Sequence, residues 1–245
     1  MTNYAIKISY DGGGFCGWQH QPSGGGVQDA LEAAIYRLTG EKVKVVGSGR
    51  TDAGVHALGQ VASFRLNAEV EEKTIVGGLN AHLPKGVRVL SARIADEKFD
   101  ARKSAEKKTY MYLMYRGKEL PVLYNRALCV GDTDVKAMAE AAKAVVGTHD
   151  FTTFKAAGSG AKTSVRTVYD AHVEDDGFFI KLFVTANGFL YNMVRIIAAQ
   201  IVKAGKGEIN AAGIETLIEK RDRTAAKETA PACALYLYSV DYSDI

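Results

Sequence analysis

The chain has 245 residues, 47% of them hydrophobic, enough for a sizeable core in one large domain or two small ones. Its net charge of +3 neither demands nor excludes a polyanionic partner. The three cysteines, Cys16, Cys129 and Cys233, are far apart and lack metal-ligand spacing, which argues against a disulfide framework and a zinc site. No apolar run approaches the roughly 20 residues of a membrane span, and a strand pattern begins at Tyr4 with no signal peptide ahead of it. A reduced, cytoplasmic setting without a membrane partner is expected.

Residues Tyr4 to Tyr10 alternate in polarity and predict a strand, which ends at the glycine-rich Asp11-Gly12-Gly13-Gly14. Val27, Leu31, Ala34, Ile35 and Leu38 recur at helical spacing, and Gly40 stops that helix. Lys42 to Val46 and Gln60 to Leu66 read as strands, Lys73 to Ala81 as a short helix before Pro84, and Val87 to Ala95 as another strand. A second unit starts near residue 105. It has a strand over Lys108–Tyr115 and a helix marked by Val135, Met138, Ala142 and Val145, with Gly147 past its end. Two antiparallel strands, Val165–Glu174 and Phe178–Ala186, are joined by Asp175-Asp176-Gly177. Leu190, Met193, Val194, Ile197 and Ile201 predict a helix up to Gly205, followed by a helix over Ile214–Lys220 and a strand over Leu235–Tyr242.

Strands do not alternate strictly with helices, which argues against a doubly wound parallel sheet. The expectation is an α+β protein of two similar units with mainly antiparallel sheets: an N-terminal domain over 1–104 and a C-terminal domain over 105–245. A cleft between such units is the default ligand site.

Gly47-Ser48-Gly49-Arg50-Thr51-Asp52-Ala53-Gly54-Val55-His56-Ala57 packs small residues around one carboxylate and one guanidinium. Glycines there let another molecule's backbone come close. If the segment is extended, Arg50 and Asp52 lie on one side, and the cation keeps the carboxylate ionised, as a nucleophile or base needs. A tight turn carrying a surface ion pair is the alternative. Basic residues gather at Arg102-Lys103, Lys107-Lys108, Lys155 to Lys162, Lys203 to Lys206 and Lys220 to Lys227. Singly each is a solvated face; together they favour a polyanionic partner. Lys155 to Lys162, with Gly158-Ser159-Gly160 inside, reads as a basic loop suited to phosphate contact.

The Asp52 segment resembles the catalytic motif of the tRNA pseudouridine synthase A family. Five further stretches continue the resemblance in order: Tyr10-Asp11-Gly12 with Gly17-Trp18-Gln19; Phe99-Asp100-Ala101-Arg102 with Lys108 and Tyr110-Met111-Tyr112; Gly147-Thr148-His149-Asp150-Phe151 with Arg166-Thr167; Phe189-Leu190 with Met193-Val194-Arg195; and Ala230-Pro231 with Leu235-Tyr236-Leu237. Single short motifs are weak evidence, but six in order cover nearly the whole chain. Glycine usually stands in the family where this chain has Ala226 and Ala234, which would strain a left-handed backbone.

The resemblance implies a pseudouridine synthase fold with its active-site cleft between the units. It implies an isomerase converting uridine to pseudouridine at positions 38, 39 and 40 of the tRNA anticodon stem-loop, with no cofactor and no metal. It also implies a homodimer that contacts the anticodon arm and elbow of tRNA. Asp52 is then the catalytic aspartate, Tyr110 the aromatic residue against the target base, and Arg50 and Arg195 the basic substrate-binding residues. His56 and Trp18 are read as structural. A non-catalytic RNA-binding relative, or a pseudouridine synthase acting on another RNA, is the alternative. The carboxylate could attack C6 of the base, attack C1′, or take the C2′ proton to give a glycal.

Overall fold

A computed structural model of the chain describes residues 1–22, 24–158 and 160–243. Ser159, in the expected basic loop, lies outside the described residues. The chain divides into two compact units, residues 1–106 with 237–245, and residues 107–236.

The first unit contains β1 (Thr2–Tyr10), α1 (Val27–Thr39), β2 (Val46–Gly47), β3 (His56–Leu66), α2 (Glu72–His82) and β4 (Val87–Ala95). β1 is the middle strand, antiparallel to β3 on one side and β4 on the other. Its alternation buries Tyr4, Ile6, Ile8 and Tyr10, and Tyr4 opposes Phe64 of β3 with rings stacked 5.5 Å apart. α1 buries Val27, Leu31, Ala34 and Ile35, the three larger side chains each worth roughly 1.5–3 kcal/mol of removed apolar surface. It ends where Gly40 turns left-handed at φ 75° and its N–H reaches Tyr36 O at 2.8 Å. α2 packs on β4 and on α1 through Ile75 and Leu79.

The strand expected over Lys42–Val46 is reduced to β2, two residues paired with Ser63 and Ala62. The cause is a side chain: Val45 N–H donates to Glu32 Oε1 of α1 at 3.0 Å, so a helix carboxylate takes the donor that a ladder would use.

The second unit contains β5 (Lys107–Tyr115), β6 (Leu128–Cys129), α3 (Val135–Lys143), β7 (Gly147–Asp150), β8 (Val165–Asp175), β9 (Phe179–Ala186), α4 (Met193–Gly205) and α5 (Ala211–Lys220). The strand order is β5-β9-β8-β7, all antiparallel, with β6 parallel to β5. The β8–β9 turn is built locally. Gly177 sits at φ 93°, and the carboxylates of Asp175 and Asp176 accept the N–H groups of Gly177, Phe178 and Phe179. Asp134 caps α3 by accepting from Lys136 N and Ala137 N. α3 ends at Lys143, so Val145 lies beyond the helix, and Gly147, past its end, opens β7. The core of this unit is Tyr112, Met114, Ile180, Leu182 and Val184 of the sheet with Met138, Ile196, Ile197 and Ile201 of the helices.

The last strand, β10 (Leu235–Asp241), has its first two residues in the second unit and the rest in the first. Its far end is fastened there by Glu106 N–H to Asp241 O at 3.0 Å and Tyr242 OH to Ala101 O at 2.7 Å.

Ala226 and Ala234 are both buried, and each closes a short 3-10 turn. Among the described residues the non-glycine residues with positive φ are Asn192 and Arg221, so neither alanine is strained. Replacing either by glycine therefore loses a buried methyl and adds chain entropy, and should lower stability by about 1–2 kcal/mol. The denaturant midpoint checks this, and a rise in midpoint would mean these positions call for left-handed backbone.

Candidate active site

Residues 48–55 connect β2 to β3 and belong to no strand. They are held from two sides. On the β3 side, Ser48 N–H donates to Val61 O at 2.8 Å. The buried Ser48 hydroxyl donates to Gln60 Oε1, and Gln60 Nε2 donates to Gly49 O at 2.8 Å. A buried carboxamide satisfied this way ties the start of the loop to the sheet.

The other side is the segment after β1. Tyr10 OH meets Thr51 Oγ1 at 2.7 Å, and Trp18 N–H donates to Thr51 O at 2.9 Å. Gly54 N–H reaches Gly12 O at 3.3 Å, and Val55 N–H closes back on Asp52 O at 3.1 Å. Two glycines make this approach possible. A Cβ on Gly12 would lie 2.0 Å from Val55 O, and one on Gly17, itself at φ 96°, would lie 2.7 Å from Thr51 O. Trp18 is 3% exposed, and its indole covers Gly47, where a Cβ would come within 2.4 Å of the ring. Trp18 is thus a packing anchor under the loop.

His56 is 2% exposed. Gly12 N–H points at its Nδ1 from 3.1 Å, which makes that nitrogen an acceptor, and Asp11 Oδ1 lies 3.2 Å from the same atom. This imidazole braces the N-terminal motif against the loop. Between these braces Asp52 is half-buried, and Arg50 is exposed. Burial pushes the Tyr10 hydroxyl up to about 12, against the opposing pull of its hydrogen bonds to Thr51 and Gln60.

The other two expected site residues lie in the second unit. Tyr110 and Tyr112 share one face of β5. Tyr112 is fully buried and donates to Pro231 O at 2.9 Å. Burial pushes its hydroxyl above the usual tyrosine range; Cys233 adds to this and Arg195 opposes it. Tyr110 is 8% exposed and meets Phe189 edge-to-face, centroids 5.0 Å apart. Arg195 is the third residue of α4. Its Nε donates to Ala230 O at 2.7 Å and one terminal nitrogen to Asn192 Oδ1 at 2.9 Å. Asn192, just before the helix, is left-handed at φ 60°.

Phe189 and Asn192 emerge from the structure as partners of Tyr110 and Arg195, and Thr51 and Gln60 as residues that fasten the Asp52 loop to Tyr10, Trp18 and β3. Gln60 precedes the apolar Val61 and Ala62 in β3, and a buried polar side chain there needs a reason. Several cations of the basic clusters are engaged locally: Lys155 with Ser164 Oγ, Lys203 with Glu228 at 2.8 Å, and Lys107 over the Tyr169 ring at 5.1 Å. Among the described residues no group of three or more His, Cys, Asp or Glu side chains is placed to hold a metal, and no helix is long and apolar enough to cross a membrane.

The family model described as tRNA pseudouridine synthase matches residues 6–102 and 141–243. The chain is 43% identical over 244 residues to tRNA pseudouridine synthase A of Caldicellulosiruptor bescii, covering 99% of this chain and 100% of that one. It is 43% identical over 245 residues to the protein of the same name from Acetivibrio thermocellus, again covering 99% and 100%. With that of Agrobacterium fabrum it shares 41% over 250 residues, 100% of this chain and 94% of the relative. The chain belongs to the tRNA pseudouridine synthase family.

Two outcomes test the loop geometry. Gly12→Ala should cost about 1–3 kcal/mol through overpacking, whereas Gly14→Ala, with nothing within 4 Å of its Cβ, should stay within about 0.5 kcal/mol. Thermal unfolding of the pair checks this. The second concerns alkaline pH. The folded Tyr10 hydroxyl titrates near 12 and the unfolded one near 10, so its contribution is complete below pH 10 and is lost as pH rises from 10 through 12. Relative to Tyr10→Phe, the parent protein should lose about 1 kcal/mol by pH 11, read as denaturant midpoints at pH 9 and 11.

Proposed function

We propose that this chain isomerises uridine to pseudouridine at positions 38, 39 and 40 of the tRNA anticodon stem-loop, with Asp52 as its single catalytic carboxylate. Family membership supports the reaction. The observation that carries the assignment of Asp52 is its loop, residues 48–55, braced on both sides by backbone contacts and holding this one carboxylate.

The reaction breaks the C1′–N1 glycosidic bond and joins C1′ to C5. The C5 proton is lost and N1 gains one, so nothing enters or leaves overall. One ionised carboxylate serves attack on C6, attack on C1′, or removal of the C2′ proton. The target nucleotide must leave its stack to be reached, and an aromatic side chain is the natural platform for it. Tyr110 takes that role in our reading, steadied by Phe189. Arg50 and Arg195 are the substrate-binding cations. Arg50 is exposed, as a phosphate contact requires. The same reading includes a cytoplasmic homodimer that holds tRNA by its anticodon arm and elbow, without cofactor.

The test is to map pseudouridine in tRNA from cells that lack the native protein and carry either the parent chain or Asp52→Ala. The parent should restore the modification at positions 38–40 and Asp52→Ala should leave uridine there. Purified Asp52→Ala should still bind tRNA in a salt-dependent way, because affinity rests on phosphate contacts. Modification that persists in the variant would remove Asp52 from its role, and pseudouridine restored only in another RNA would move the reading to that substrate.

A further inference from the structure

The first unit carries a second charged surface that the proposed chemistry does not use. A groove of about 500 Å³ lies beside β2, between the segment 41–46 and the segment 98–103. Lys42, Lys44, Arg65, Lys98 and Lys103 line it, with Glu41 and Asp100 as its acids. Its net charge of +3 equals that of the whole chain. None of the five cations is among the residues that carry the family resemblance.

The two acids are turned to the backbone. Glu41 accepts Asn67 N–H with both oxygens, at 3.0 and 3.2 Å, and Asp100 accepts the N–H groups of Arg102 and Lys103 at 2.9 Å each. Lys42, Lys44, Lys98 and Lys103 form no ion pair among the described residues. Arg65 donates to Glu97 O. All five cationic side chains are exposed. Gathering like charges without counter-ions adds self-repulsion and gains nothing for folding, so the fold does not explain the cluster. A chain of phosphates would relieve it and release its own counter-ions. An open groove lined by flexible, separately placed ammonium groups suits an extended polyanion; a single small anion calls for convergent donors. Val46 lines the groove and Asp52 is six residues further on, so the two lie within about 20 Å of each other along the chain.

We propose that this groove binds the phosphate backbone of the RNA substrate, so that Lys42, Lys44 and Lys103 contribute affinity outside the site of chemistry. The inference rests on the tRNA reading above. Salt dependence of tRNA binding tests it with the triple variant Lys42→Gln, Lys44→Gln, Lys103→Gln. A control triple, Lys73→Gln, Lys85→Gln, Lys118→Gln, makes the same change of charge at exposed lysines away from the groove. The groove variant should flatten the slope of log affinity against log salt by about two to three. Between 50 and 200 mM salt the parent should therefore lose about 16- to 64-fold more affinity than this variant. The control should change the slope by less than one. KM for tRNA should rise in the groove variant while kcat at saturation stays as in the parent. Equal slopes for parent and groove variant, or equal flattening in both triples, would overturn the groove. A parent protein that forms no pseudouridine in tRNA would instead overturn the function on which the proposal rests, so the two failures are separable.

Discussion

Gly12 and Gly17 bring the backbone after β1 so close to residues 51–55 that no side chain fits between them. The position of the Asp52 loop depends on that contact. With the two chains in register, Trp18 N–H finds Thr51 O, Gly54 N–H finds Gly12 O, and Gly12 N–H finds His56 Nδ1. Each bond is worth only about 1 kcal/mol net, so none of them alone holds the loop. The steric fit does, because a buried main chain that shifted would leave several polar groups unsatisfied at once. Tyr10 and Gln60 complete the frame, and their burial makes the local environment poor in water.

The second unit shows a different kind of constraint at the start of α4. A cation in the first turn of a helix faces the positive end of the helix dipole, an arrangement that costs about 0.3–1 kcal/mol. A left-handed asparagine costs a comparable amount. Both occur here, at Arg195 and Asn192. The arginine is then fixed by Ala230 O and Asn192 Oδ1, so its orientation is set by the same residue whose backbone is unfavourable. Local strain of this sort persists where the surrounding structure holds it, and Ala230 N–H to Arg195 O is part of that hold. Tyr112 below it is a core residue tied to Pro231, which leaves Tyr110 as the tyrosine of this strand nearer the surface.

What was legible in the sequence is what is decided locally. Gly40 ends α1 through its own φ, Asp134 caps α3 through the next three residues, and Asp175-Asp176-Gly177 makes its turn with its own carboxylates. The α+β class was legible from strand and helix periodicity; the Asp52 segment stood out by its density of small residues around a single acid, and the role proposed for it rests on the family resemblance. Lys42–Val46 misled because a carboxylate thirteen residues upstream takes the N–H of Val45. β6 and β7 are two and four residues long and exist only through their partners. The frame around Asp52 was hidden in the same way: Tyr10 and Thr51 are 41 residues apart. Glycines at 12 and 17 were visible, but the backbone they press against was not.

The chemistry proposed for Asp52 gives this rigidity a purpose. Pseudouridine formation detaches a base and reattaches it through a different atom, so the enzyme must keep its own reference point fixed while the substrate turns. An aspartate side chain has two torsions and reaches little beyond its Cβ, so the carboxylate can be no better placed than its backbone. Misplacement by about 1 Å is enough to cost roughly a hundredfold in rate. A loop secured by long side chains would inherit their rotamer freedom. One secured by main-chain hydrogen bonds, glycine contacts and a few buried side chains inherits chiefly the stiffness of β1 and β3, which are paired over most of their length. The architecture of the first unit thus transfers the order of a sheet to a single carboxylate.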